Sequence, residues 1–244
     1  MKTMKEWIRQ AMCNGQTGVL ALLALMCAAG AMAQTRHMVV YRADGSRLSI
    51  DINTIDSIRI EEPPYGGREY VDLGLSVVWA TCNVGAASPA QAGDYFAWGE
   101  TSPKENYSED AYLYYQYEQY QSIGADICGT KYDAAYVAWG DGWRMPTLAE
   151  VEELGRLCTW TWTAQDGVAG YRVTGPNGAS IFLPACGYYN GTELQGAGQS
   201  GYYWTGTQSA TLRSAAHNLN FDGYTGQWTA SRAYGFPVRA VHSR

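Results

Sequence analysis

Trp139-Gly140-Asp141-Gly142-Trp143-Arg144-Met145-Pro146-Thr147 is the stretch on which the reading of the fold turns. Glycine stands where a backbone turns or approaches closely, and tryptophan where a large apolar area is buried with its N–H satisfied. Thr147-Leu148-Ala149-Glu150 then has the form of a capping box, in which Thr147 and Glu150 satisfy orphan amides at a helix start. This is structural punctuation, and no other stretch has catalytic spacing of comparable clarity.

Downstream of that cap, Leu148, Val151, Leu154 and Leu157 recur on one side, with Glu150, Glu152 and Glu153 turned outward, so Thr147 to Cys158 reads as an amphipathic helix. Upstream, Asp133 to Trp139 reads as a shorter one. Short strands are expected at 70–72, 77–81, 94–98, 202–205, 218–221 and 236–241, with a small-residue loop from Gly85 to Gly93. Gly175-Pro176-Asn177-Gly178 between 170–174 and 180–183 reads as a hairpin turn. Residues 106–121 hold Tyr107, Tyr112, Tyr114, Tyr115, Tyr117 and Tyr120 without a helical or strand period. They read as a long, partly ordered surface excursion whose rings pack on the domain while their hydroxyls meet water. Two short helices among many short strands imply an α+β domain.

The N-terminus reads as an export signal. Lys2, Lys5 and Arg9 precede an apolar run from Val19 to Ala29, and Ala31-Met32-Ala33 forms a cleavage-site pattern, so residues 1–33 are expected to be removed. The run is shorter than the ~20 residues a membrane-spanning helix needs, so no spanning segment is expected. Export places the chain at the cell surface, outside the cell or in the periplasm. Residues Met38 to Glu61 then alternate around Asp44-Gly45 and continue through Ile50, Ile52, Ile55, Ile58 and Ile60, so 34–62 reads as a small β unit. Pro63-Pro64-Tyr65-Gly66-Gly67 begins a linker at 63–68, and the main domain is expected at 69–244.

The net charge of −6 lacks clustered Lys or Arg, which argues against a nucleic-acid partner. Outside the leader, Cys82, Cys128, Cys158 and Cys186 remain. Their spacing leaves the pairing open; Cys82–Cys158 is the first candidate, beside tryptophan-rich segments, with four free thiols as the alternative. Three histidines, His37, His217 and His242, have neither helical pairing nor a Cys-x-x-Cys companion, so no metal and no other cofactor is expected. Gly196-Ala197-Gly198-Gln199-Ser200-Gly201 matches a dinucleotide fingerprint in letters only, because a Tyr-Tyr-Trp strand follows it where a helix is required. Adjacent Glu152 and Glu153 do not converge as an acid/base pair, and no nucleophile elbow is present. A non-enzyme is therefore expected.

Four segments together resemble a known family: 69–85 (Glu-Tyr-Val-Asp-Leu-Gly-Leu-Ser-Val-Val-Trp-Ala-Thr-Cys-Asn-Val-Gly), 93–101 (Gly-Asp-Tyr-Phe-Ala-Trp-Gly-Glu-Thr), the block at 139–147, and Gly201-Tyr202-Tyr203-Trp204. The chain over about 69–241 resembles the Fibrobacter succinogenes major paralogous domain, which is similar to the C-type-lectin-like superfamily. The resemblance implies a domain whose first and last strands pair, with Trp79 and Trp143 in the core. It also implies export from a gut-type Gram-negative bacterium, without a defined activity.

Residues 203–239, ending Gly235-Phe236-Pro237-Val238-Arg239, further resemble the variable region of retroelement-diversified lectin-fold proteins. That likeness implies ligand contacts at Gln208, Arg213, His217, Asp222, Tyr224, Trp228, Arg232 and Tyr234. The calcium and sugar motifs of calcium-dependent lectins are absent, so the expected partner is a protein or a glycan held without calcium, by an adhesion or recognition surface. The alternatives are an envelope component that assembles through 38–62, and an enzyme of the formylglycine-generating type, for which no copper-binding cysteine pair can be mapped.

Overall fold

The computed structural model describes residues 37–41, 46–54, 68–221 and 225–244. The leader, the Asp44-Gly45 turn, Ile55, Ile58, Ile60, residues 63–67 of the linker, Asp222 and Tyr224 lie outside the described residues. Two compact units divide between Glu61 and Glu62. In the first, β1 (His37–Tyr41) pairs antiparallel with β2 (Arg47–Asp51), His37 opposite Asp51, and a 3-10 turn follows at Ile52–Thr54.

The second unit is mostly antiparallel strands with two short helices, an α+β arrangement. In it β3 (Tyr70–Val71) and the C-terminal β15 (Val241–Ser243) flank β4 (Val77–Ala80), so the first and last strands of this unit are tied through one strand. β4 is buried throughout, which suits its run Val-Val-Trp-Ala. Next come a hairpin of β5 (Tyr115–Gln116) and β6 (Gln119–Tyr120), then α1 (Ala134–Trp139) and α2 (Leu148–Leu157). Three strands follow as an antiparallel meander: β7 (Thr159–Gln165), β8 (Val168–Thr174) and β9 (Ser180–Pro184). A small ladder of β10 (Tyr188–Asn190) and β11 (Glu193–Gln195) leads into the final sheet, β12 (Gly201–Gln208), β13 (Ala215–Phe221) and β14 (Thr225–Ser231).

The 139–147 block is the junction that joins the helices to the C-terminal strand. Gly140 ends α1 with φ 62°, and Gly142, at φ 84°, leaves room for the His242 ring, whose Nε2 would lie 2.6 Å from a Cβ there. Arg144 exchanges both backbone hydrogen bonds with Val241, at 3.0 and 2.9 Å. Its guanidinium grips Glu150 in two hydrogen bonds of 2.8 and 2.6 Å. Both halves of the Thr147–Glu150 capping box form. On α2, Val151 and Leu154 are buried against Tyr203, Leu219 and Phe221. Leu157 instead is 42 % exposed at the helix end. Glu150 and Glu153 are not idle on the outer face, since Glu153 accepts from the Ser76 hydroxyl at 2.5 Å.

Several local expectations are corrected. Residues 94–98 and 236–241 do not form strands along their length: they meet at the single bridge Phe96–Phe236, and Pro237 has no N–H to extend a ladder. β7 and β14 are additional strands. The Cys82–Cys158 disulfide is absent, all four cysteines being free: Cys82 Sγ turns to Thr81 Oγ1, while Cys158 caps α2 against the core.

The excursion at 106–121 is ordered. A 3-10 turn at Glu109–Ala111 precedes β5, and Tyr117 and Glu118, at φ 51° and 57°, make the tight turn to β6. Tyr107 and Tyr112 are buried, and their hydroxyls donate not to water but to the carbonyls of Tyr95 and Trp98, each at 2.6 Å. Tyrosine burial with the hydroxyl satisfied by a backbone carbonyl makes Tyr107 and Tyr112 part of the core, while Leu113 and Tyr117 stay at the surface. The tryptophans divide likewise: Trp98 Nε1 donates to the Thr205 carbonyl at 2.9 Å and Trp204 Nε1 to that of Phe96 at 2.8 Å. Trp79 Nε1 has no hydrogen-bond partner among the described residues.

Candidate ligand-recognition surface

The β12–β14 sheet has two unlike faces because alternate residues point to opposite sides. One face carries Tyr203, Leu219 and Phe221 onto α2. The other is built of cross-strand rows. Tyr202 lies opposite Asn220, which lies opposite Gly226; Trp204 lies opposite Asn218, which lies opposite Trp228. Trp204 is sealed in the core, stacked on Phe236 at 4.1 Å, whereas Trp228, at the outer strand, is 60 % exposed. The indole of Trp228 extends along the strand over Gly226: a Cβ at Gly226 would lie 2.9 Å from its Nε1.

Phe236 holds the adjoining rings together. Tyr188 and Tyr202 meet at 4.7 Å, Tyr202 and Phe236 at 5.3 Å, and Tyr188 and Tyr234 at 5.5 Å. Tyr188, Tyr202 and Tyr234 are half-buried, each with one edge in this cluster. Burial raises the Tyr188 phenol above its ordinary value. Its hydroxyl donates to Gln195 Oε1 at 2.7 Å. Beneath them, the Asn218 side-chain N–H donates to the Trp228 carbonyl at 3.0 Å, and among the described residues the buried carboxamide oxygens of Asn218 and Asn220 have no partner. Both asparagines are buried, so what this face offers a ligand is aromatic area, the kind enriched at recognition surfaces.

The candidate contact residues do not share one surface. Trp228 and Tyr234 belong to this aromatic face. His217 lies opposite Thr229, one position out of phase with Trp228, and therefore on the other side of the sheet. Gln208 and Arg213 stand at the β12–β13 connection, where the Gln208 amide donates to the Arg213 carbonyl at 3.4 Å. Asp222 and Tyr224 lie outside the described residues.

Arg232 is a correction: it is 0 % exposed, and so is a core residue and not a contact residue. Its guanidinium lies over Trp98, Tyr112 and Tyr120, at 4.8, 5.4 and 5.8 Å from the ring centres. Nε donates to the Tyr112 hydroxyl at 2.9 Å, and Nη1 to the carbonyls of Gln121 and Arg213 at 3.0 and 3.2 Å. A weakly hydrated guanidinium can occupy such an aromatic cage where an ammonium would lose more hydration. Tyr188 and Tyr202 are members of the surface that were not among the expected contacts; their adjacency to Tyr189 and Tyr203 in sequence was the available signal.

Among the described residues no group of three or more His, Cys, Asp or Glu side chains could hold a metal ion, and no helix is long and apolar enough to cross a membrane. No family model, curated protein or solved structure matches the chain.

Proposed function

We propose that this chain is an exported recognition module that grips a protein or glycan through the aromatic face of its last sheet. The observation that carries the reading is Trp228, exposed on the same face as Tyr202 and Asn220. A large indole left in water at an outer strand has a cost in hydration that ligand contact removes. The half-buried tyrosines supply rigid area around it, and few rotatable bonds need ordering on binding.

The resemblance to the Fibrobacter succinogenes major paralogous domain, on a C-type-lectin-like scaffold, supports the same reading. The burial of Trp79 and Trp143 agrees with what that likeness implies, while the last strand, β15, pairs with β4 and not with the unit's first strand, β3. In this account the chain performs no catalysis, and any diversification falls on Trp228, Tyr234 and the β13–β14 connection, with Arg232 held constant for the core.

Glycan and protein arrays probed with the chain test the proposal. Binding to the leading hit is expected to fall at least about tenfold in the double variant Trp228→Ala, Tyr234→Ser. Unchanged binding by that variant, with an unchanged melting temperature, would refute the assignment of the surface.

A further inference from the structure

A second concave site lies elsewhere in the same unit, and none of its lining residues belongs to the aromatic face. Arg68, Gly85, Asp94, Phe96, Pro103 and Trp139 help to enclose a cavity of about 400 Å³. That volume falls within the ~300–1,000 Å³ span of small-molecule sites. Its chemistry is set by two opposite charges that do not neutralise each other.

Asp94 is half-buried, and its backbone N–H is fixed to the Val84 carbonyl at 2.9 Å. Its carboxylate lies over Gly85: a Cβ there, at φ 80°, would come within 2.4 Å of both Cγ and Oδ2. Glycine thus leaves the acid room at the cavity wall. Among the described residues the carboxylate makes no hydrogen bond and no ion pair. Arg68 contributes the opposite charge, its guanidinium stacked 4.6 Å from the centre of the Trp139 ring. A stacked guanidinium keeps its N–H edge free to grip a carboxylate in two parallel hydrogen bonds. No ion pair joins Arg68 to any acid among the described residues. Pro103 adds exposed apolar surface to the lining, while Phe96 is buried.

We propose that this cavity binds a zwitterionic amino acid or short peptide, with the ammonium on Asp94, the carboxylate on Arg68 and an apolar side chain against Pro103. A neutral sugar suits it less well. One face of Trp139 already carries the guanidinium, and the ring meets Trp143 edge to face at 5.4 Å, so the indole is not an open platform for a pyranose.

Calorimetric titration of the full chain with L-phenylalanine, with the dipeptide Ala-Phe and with maltose tests the inference and separates free amino acid from peptide. Saturable binding of phenylalanine or Ala-Phe is expected below ~10 mM. For the zwitterion that binds, N-acetylation or carboxyl amidation should each weaken binding by about tenfold or more. Asp94→Asn should weaken the zwitterion similarly while leaving its N-acetyl form unaffected, and Arg68→Gln should do the same with respect to the amide form. Among the described residues neither side chain carries a hydrogen bond, and Arg68 adds only its stacking on Trp139, so melting temperatures are expected to change little; a melt of each variant checks this. Absence of zwitterion binding, equal affinity for blocked and unblocked ligands, or binding of maltose alone would overturn the proposal.

Discussion

Two clusters of tyrosines in this molecule are built from the same side chain for opposite ends. Around Tyr107 and Tyr112 the rings are sealed, each hydroxyl donates to a backbone carbonyl, and Arg232 fills the gap between Trp98, Tyr112 and Tyr120. Around Tyr188, Tyr202 and Tyr234 the rings are only half covered, and the exposed indole of Trp228 belongs to the neighbouring cross-strand row of the same face. The difference lies in where the polar atom goes. A hydroxyl committed to a buried carbonyl fixes a ring as structure, whereas a ring with one face at the surface remains able to meet a ligand. Aromatic abundance alone does not mark a binding site.

The largest expected effect comes from breaking the sealed cluster at its cation. Arg232→Ala leaves the Gln121 carbonyl without its donor, leaves the Arg213 carbonyl only the long bond from Gln208, and empties the aromatic cage. Urea unfolding should show a loss of about 3–5 kcal/mol, the scale for breaking a buried polar network. Arg232→Lys should recover only part, because an ammonium cannot reach all three acceptors from one stacked position. Full recovery would mean that charge, and not planar geometry, holds the cage.

Tyr112→Phe is the next step down. It strands the Trp98 carbonyl and the Arg232 Nε, and should cost about 1–3 kcal/mol in the same assay. Alkaline titration read by phenolate absorbance sharpens the contrast. Burial pushes the phenols of Tyr107 and Tyr112 above their ordinary 10.0 and that of Tyr120 up to about 12. A raised folded pKa contributes stability that is fully present below pH 10.0 and is lost as pH rises through the folded values. Phenolate from the sealed set should therefore appear together with unfolding, read by circular dichroism. Its earlier appearance, with the fold intact, would break the distinction.

At the acid end, burial pushes Glu150 up, but the Arg144 guanidinium and the Thr147 N–H outweigh it and hold the carboxyl below its ordinary 4.5. This depressed value gives stability that is present above pH 4.5 and is lost as pH falls through the folded value. Comparing Glu150→Gln with the parent chain by chemical denaturation should show a deficit at pH 7 that narrows at pH values near ~3. The smallest stability effect is expected at the open cluster: Trp228→Ala should change unfolding by no more than about 0.5 kcal/mol, while array binding falls.

Local chemistry made part of this architecture legible. The Thr147–Glu150 cap, α2 and the turn at 175–178 depend on neighbouring residues, and each stands where its sequence places it. β7 carries its own alternation, Thr-Trp-Thr-Trp-Thr, and a Asp166-Gly167 turn, both of which mark a strand that the sequence reading passes over. Other features depend on partners far along the chain. Arg232 has the polar, aromatic surroundings of a contact residue in sequence; only the return of 98–121 against 232 buries it. His217 and Trp228 look like members of one polar strand region, yet strand register sends them to opposite faces. The candidate surface was thus legible in its two outer members, Trp228 and Tyr234. The supporting tyrosines Tyr188 and Tyr202 emerge only when Phe236 gathers them.

Hydroxyl-radical footprinting with residue-level mass spectrometry tests the contrast between the two clusters most directly, on the free chain and on the chain bound to its leading array hit. Trp228, Tyr188, Tyr202 and Tyr234 should oxidise readily when free and become protected when bound, while Tyr107 and Tyr112 remain unmodified in both states. Oxidation of Tyr107 and Tyr112 at the rate of the open cluster, or ligand protection that leaves Trp228 reactive, would contradict the account.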